Sequence, residues 1–283
     1  MAPMLAYRHA FHAGNHADVL KHLVLIEVLR YLGEKDKPYW MIDTHAGAGG
    51  YALDEKYAQQ HAEFAQGIGR LWDRDDLPPE VAQYVALVRR FNSGGALRHY
   101  PGSPEVAAQM LREQDRLRLY ELHPTDHRLL DAKFGKRRNT EVRKGDGYAG
   151  LKAQLPPPSR RAAVLVDPSY ELKADYAHVV NAARDAMQRF AECVLMVWYP
   201  VLKRPEPLQL PQRLKPLAPK GWLHVRMTVQ PAGPDGFGLL GSGMFILNPP
   251  WVLHDTLARL MPWLTEALAQ YDGANFVLEQ HAV

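Results

Sequence analysis

Ala162-Ala163-Val164-Leu165-Val166-Asp167-Pro168-Ser169-Tyr170 is the stretch that decides the fold of this chain. Five apolar residues run into an acid, a proline, a small polar residue and an aromatic ring. A short unbroken apolar run, preceded by prolines and basic residues, reads as a strand buried on both faces, which is a parallel strand. Open α/β sheets bind their ligands in the crevice at the carboxyl ends of such strands. Asp167 is therefore expected at a strand end, with Tyr170 just beyond it. A plain Asp-Pro turn would carry the same letters, so the rest of the chain must choose between a turn and a site.

An acid-Pro-x-aromatic turn at that place resembles the (Asp/Asn/Ser)-Pro-Pro-(Tyr/Phe/Trp) signature of methyltransferases that modify exocyclic amines, adenine N6 above all. The chemistry explains the residue types. The amine is a poor nucleophile because its lone pair is delocalised into the ring. A carboxylate and a backbone carbonyl placed on the amine hydrogens favour the tetrahedral, reactive nitrogen, and the carboxylate can take the released proton. An aromatic ring gives the base a face to stack on, worth about 1–3 kcal/mol. The third position here is Ser169 rather than proline, which keeps the carbonyl but gives up some rigidity.

Composition narrows the classes. The chain has 283 residues, 47% hydrophobic and 23% charged, which suits one large domain or one domain with an insertion. No apolar run approaches the roughly 18 residues of a membrane span. The amino terminus lacks the apolar region of a signal peptide, so a cytoplasmic location and no membrane partner are expected. Cys193 is the only cysteine, which excludes an internal disulfide. A net charge of +3 permits nucleic-acid binding without requiring it.

Along the chain, Asn15 caps an expected amphipathic helix from His16 to Leu29, with Lys21 and His22 near the edge of its apolar stripe. His9, His12, His16 and His22 lie close together, but their spacing matches no common zinc pattern, so contacts to ligand or RNA are expected and no metal. Pro38 to Asp43 reads as the first strand. It runs into Thr44-His45-Ala46-Gly47-Ala48-Gly49-Gly50, where glycines let the backbone approach a ligand. That loop resembles the S-adenosylmethionine loop of class I methyltransferases; the Gly-x-Gly-x-x-Gly step of a dinucleotide site is missing. Residues 53–93 read as two or three helices of an inserted subdomain. Tyr100-Pro101-Gly102-Ser103-Pro104 then turns into a helix. Leu117 to Glu121 is the second strand, and Glu121 is either a ribose-binding acid or an ordinary surface acid. Thr140 to Arg143 is a modest third strand. Asp146, beside Gly147, either caps the next helix or holds the cofactor's adenine amine. Lys136, Arg137, Arg138, Arg143, Lys144, Arg160 and Arg161 are grouped as one basic region.

Residues 174–190 read as a helix, Ala191 to Tyr199 as a fifth strand, and 205–219 as a Pro-rich connection. Leu223 to Val229 and Met244 to Leu247 read as an antiparallel pair, 253–270 as a helix, and Ala274 to Leu278 as a last strand. Asn248-Pro249-Pro250-Trp251 matches the amine-methyltransferase signature better by letter than Asp167-Pro168-Ser169-Tyr170 does. Order decides against it: the catalytic turn belongs at the end of strand four, and Asn248 follows the later strands. The chain thus divides into 1–52 (tail, helix, first strand), 53–100 (inserted helical subdomain) and 101–283 (remainder of a Rossmann-like α/β core).

Tyr7-Arg8-His9-Ala10-Phe11-His12-Ala13-Gly14-Asn15-His16-Ala17-Asp18-Val19-Leu20-Lys21-His22, together with Asp43 to Gly49, Tyr100 to Pro104, Glu121-Leu122-His123-Pro124 and Asn248 to Trp251, resembles the RlmJ family of bacterial 23S ribosomal RNA adenine-N6 methyltransferases. The likeness runs over nearly the whole chain. It implies S-adenosylmethionine as cofactor, 23S ribosomal RNA as partner, and action as a monomer. It implies cofactor contacts from His22, His45, Gly47, Ser103, Glu121, Asp146 and Gly147. Asp167 would be the proton acceptor in a catalytic turn with Pro168 and Tyr170, and Tyr7 and Lys21 would meet the RNA. Ser169 departs from the family's proline and bears on rate more than on reaction type. The alternatives are a DNA adenine or protein glutamine methyltransferase, and an RNA-binding module with a vestigial site.

Overall fold

The computed structural model describes residues 9–53, 62–233 and 238–282. Its centre is an eight-stranded sheet of order β10-β8-β9-β7-β6-β1-β4-β5. The parallel strands are β1 (Trp40–Asp43), β4 (Arg116–Glu121), β5 (Thr140–Lys144), β6 (Ala162–Val166) and β7 (Val194–Val201). β9 (Gly241–Leu247) lies antiparallel between β7 and β8 (Trp222–Thr228), and β10 (Asn275–His281) closes that edge. The chain leaves β1 toward β4 and β5, then returns to place β6 on its other side. The crevice between β1 and β6 is therefore the switch point where such sheets bind ligands.

Alternate residues of the central strands enter two cores. Met41, Ala163, Leu165 and Met196 face one side, and Ile42, Val164, Val166 and Leu195 face the other. This is the period of two that parallel strands impose, with both faces covered.

Helix α1 (His16–Gly33) corrects one expectation. It is not half-exposed: every residue from His16 to Leu29 is buried. One side lies on the sheet and the others meet the helices Pro79–Arg90, Ser103–Met110 and Leu253–Leu268. Asp18, Lys21 and Glu27 go inside with it, each paired with an opposite charge, as buried charges must be. Asn15 does cap the helix, accepting from Ala17 and Asp18 N–H.

Between β2 (Gly50–Ala52) and β3 (His99–Pro101), where an inserted helical subdomain is expected, the described residues hold two 3-10 turns, Glu63–Gln66 and Ile68–Arg70, and one α-helix, Pro79–Arg90. Ile68, Leu71, Val81, Tyr84 and Val85 join the core that covers α1. An antiparallel ribbon of β2 and β3 ties the two ends of the segment together. The stretch 205–219 is not a bare connection but a helix, Pro205–Leu214, followed by a 3-10 turn, Lys215–Leu217. Proline is tolerated in a first turn, where its N–H would have no partner anyway, and Leu210 and Leu214, four apart, bury its inner face.

Candidate active site

The carboxyl ends of β1, β4, β5 and β6 open into a cavity of about 530 Å³. At β1 the chain turns through Thr44 to Gly49 with Gly47 at φ +59°, a conformation glycine adopts without strain. Across from it Gly147 starts the helix Gly147–Gln154, and a Cβ there would fall 1.9 Å from the Thr44 carbonyl oxygen. Two backbones thus approach as only glycine permits, leaving a cradle of main-chain groups.

Glu121 ends β4, and its carboxylate accepts from Gly47 N–H at 2.8 Å and His123 N–H at 2.6 Å. Burial raises its pKa, with those two donors opposing. Asp146 accepts from Tyr148 N–H at 2.8 Å and lines the cavity as well, so capping and ligand contact are compatible. Ser103 donates to Asp43 at 2.6 Å, and burial pushes that carboxyl up to about 6 against the Ser103 and His45 donors. His45 lies on the wall with its Nδ1 2.8 Å from Thr44 Oγ1 and its ring edge against Tyr148. Burial pushes its pKa down to about 4, so the ring is neutral at pH 7.

Asp167, Pro168 and Ser169 line the same cavity from the end of β6. Asp167 and Ser169 also line a second, smaller cavity of about 160 Å³ behind the turn. Tyr170, at φ +54°, turns away from the first cavity into the second, packs on Tyr176, and donates its hydroxyl to the Trp198 carbonyl at 2.6 Å. Trp198, Pro200, Leu202 and Leu239 supply that cavity's apolar wall.

Lys21 stands between the cavities, lining both. Its ammonium is 2.6 Å from Asp167 Oδ2 and 2.7 Å from Asp18 Oδ1. Burial disfavours its charge, yet Asp167 and Asp18 outweigh that and hold its pKa up. Asp18 is likewise buried but is kept well below the usual carboxylate range by His9 and Lys21.

One expected contact lies elsewhere. His22 does not line the cavity; it is 1% exposed, with Nδ1 2.8 Å from the Tyr100 hydroxyl, because its helix is buried all round. Burial pushes its pKa down to about 3. Tyr7 lies outside the described residues. The expected basic region is split by strand direction. Lys144 ends β5 on the cavity side, whereas Arg161 precedes β6 at the opposite edge, donating to the Leu32 carbonyl. Sequence reasoning missed Asp18 and Trp198. The first was detectable, since Asp18 and Lys21 are three apart on a helix; the second comes from strand β7 and is brought in only by the fold. Among the described residues no group of His, Cys, Asp or Glu could hold a metal ion, and no helix is long and apolar enough to cross a membrane.

Parallel strands around this switch point, an antiparallel strand between β7 and β8, a glycine cradle after β1 and an acid closing β4 define a class I methyltransferase. Residues 36–278 match the family model described as Ribosomal RNA large subunit methyltransferase D, RlmJ, and the chain belongs to that family. It is 46% identical to Ribosomal RNA large subunit methyltransferase J of Escherichia coli K12, covering 94% of each chain. It is 42% identical to the protein of that name from Haemophilus influenzae, covering 98% of each. The crystal structure of protein LPL1258 from Legionella pneumophila superposes with a TM-score of 0.88 at 34% identity, covering 95% of this chain and 98% of that one. The chain is thus a methyltransferase, and its cofactor is S-adenosylmethionine. The cradle between Gly47 and Gly147 and the carboxylate of Glu121 suit that group: main chain for close approach, and an acceptor for ribose hydroxyls.

Proposed function

We propose that this enzyme transfers the methyl group of S-adenosylmethionine to the exocyclic N6 amine of a specific adenine in 23S ribosomal RNA, acting as a monomer in the cytoplasm. The observation that carries the reading is the carboxylate of Asp167, which belongs to the walls of both cavities and so stands between a donor in one and an acceptor base in the other. Bound in the larger cavity, the cofactor supplies an electrophilic methyl group on a sulfonium.

This chain's residues do the rest. Gly47, His45, Ser103, Glu121, Asp146 and Gly147 hold the cofactor, and His22 supports that wall from behind. Lys21 fixes Asp167 Oδ2, and the other carboxylate oxygen, which no described residue engages, accepts from the amine and takes the released proton. The Pro168 carbonyl is the second acceptor on the amine. Tyr170 and Trp198 give the extruded base an aromatic wall, and base extrusion favours an unpaired or loosely structured RNA segment. Tyr7, in the tail that precedes His9, meets the RNA.

Mass mapping of methylated adenines in ribosomal RNA from cells with and without the gene tests the reading directly. One adenine should lose its methyl group with the gene; an unchanged map rejects the substrate. RNA affinity should weaken with salt, as phosphate contacts require, while cofactor affinity changes little.

A further inference from the structure

Glu63, in the segment between β2 and β3, stands behind the wall of the smaller cavity and holds two of the residues that line it. Glu63 accepts from His12 Nδ1 with both carboxylate oxygens at 3.0 Å and from Asn15 Nδ2 at 2.9 Å. His12 and Asn15 line that cavity, whereas Glu63 does not. The Asn15 oxygen meanwhile accepts from the N–H groups of Ala17 and Asp18, so the same amide caps α1. Asp18 and Lys21, which fix Asp167, stand in the opening turns of that helix. A backbone contact adds to this. Ile68 N–H donates to the Gly14 carbonyl at 2.9 Å, and a Cβ on Gly67 would fall 2.1 Å from that same oxygen. Burial opposes both charges of the His12–Glu63 pair, yet the pairing wins, holding the carboxyl low and the imidazole high.

We propose that Glu63 is a positioning residue. Through His12 and Asn15 it sets the wall of the smaller cavity, and through the cap of α1 it sets the Lys21–Asp167 pair, so the inserted segment helps to seat the target base. The proposal rests on the reading of the smaller cavity as the base site. Its physical ground is that reacting groups displaced by about 1 Å can lose roughly a hundredfold in rate.

The test compares full-length wild type with Glu63→Ala and Glu63→Gln on a ribosomal RNA transcript, measuring kcat, KM for RNA, the calorimetric Kd for S-adenosylmethionine, and Tm. Glu63→Ala should lower kcat by about tenfold or more with the cofactor Kd within about twofold. Glu63→Gln, which keeps an oxygen for Asn15, should recover part of the loss. A kcat within about twofold of wild type in both variants overturns the proposal, as does a cofactor affinity that falls in step with kcat. Leu202→Trp separates the underlying reading, because Leu202, unlike Glu63, lines the smaller cavity, so a larger side chain there fills the cavity directly. Full activity in Leu202→Trp overturns the base-site reading. Loss there with full activity in both Glu63 variants overturns only the role of Glu63.

Discussion

Two turns of this chain carry nearly the same letters and leave the sheet at opposite edges. Asp167-Pro168-Ser169-Tyr170 follows β6, a parallel strand, and opens on both cavities. Asn248-Pro249-Pro250-Trp251 follows β9, which runs antiparallel to β7, so it emerges at the opposite edge of the sheet. There the Asn248 amide spans the carbonyls of Ala191 and Cys193, its N–H meets the Gly221 carbonyl, and Trp251 is 79% exposed. Tyr170 in the first turn is 4% exposed. The backbones differ as well: the positive φ falls on Tyr170 in one and on Asn248 in the other. A tetrapeptide acquires chemistry from the direction of the strand that delivers it, and the one with the better letters is on the wrong side of the sheet.

The sharpest way to break this contrast is to remove the polar group from each turn. Asp167→Ala should cost about 10²–10⁴-fold in kcat, the scale of a lost proton acceptor. Asn248→Ala should leave kcat within a few-fold, with loss confined to Tm. Single-turnover methyl transfer at matched folded fractions decides it, and the reverse pattern would move the active site to the other edge.

The turns also differ in what holds them. Charge holds the first, through Lys21; neutral hydrogen bonds hold the second. Lys21→Met leaves half-buried Asp167 without its cation and buried Asp18 with His9 alone, a change of about 3–5 kcal/mol for a broken buried pair. The pH dependence follows from Asp18. Its pKa lies well below 3.8 in the folded protein, so it contributes stability that is present above about 4 and lost as the pH falls through the folded value. Without Lys21 burial acts with less opposition, the folded pKa rises, and acid unfolding should begin at higher pH. Circular dichroism across an acid titration reads this. An unshifted acid midpoint in Lys21→Met would show that the ion pair is not what holds the first turn, whereas Asn248→Ala should not shift it.

What could be read in the sequence follows the same logic. Asp167 was legible because β6 is an unbroken, fully buried apolar run and an acid directly after one is conspicuous, and Glu121 because it ends a strand whose alternate residues Leu117 and Leu119 are buried. The glycine turn after Asp43 was legible because close backbone approach demands glycine. The burial of α1 was not, since its residues are apolar enough to be amphipathic or immersed, and only the packing of three helices over it decides. The smaller cavity was least legible. Its wall combines residues near 9–21, 167–170, 198–202 and 239, which no local period connects. The helix Pro205–Leu214 was hidden by prolines that read as breakers: Pro205 and Pro207 sit in its first turn, where they do no harm, and Pro211 lies inside it, buried beside Leu210 and Leu214.

The smallest expected effect concerns the position at which the two turns differ most simply, Ser169 against Pro250. Ser169 lines both cavities, so its conformation bears on how the amine is held. A proline there fixes φ near −65° and restricts Pro168 before it to extended backbone, which narrows the positions open to the Pro168 carbonyl. The folded turn loses little, and the unfolded chain loses freedom, a gain of about 0.4–1 kcal/mol where the native backbone already suits proline. Ser169→Pro should therefore keep kcat or raise it by a few-fold and raise Tm slightly. A clear fall in kcat would mean that the serine hydroxyl or its N–H contributes to holding the amine, and the first turn would then differ from the second in chemistry as well as in place.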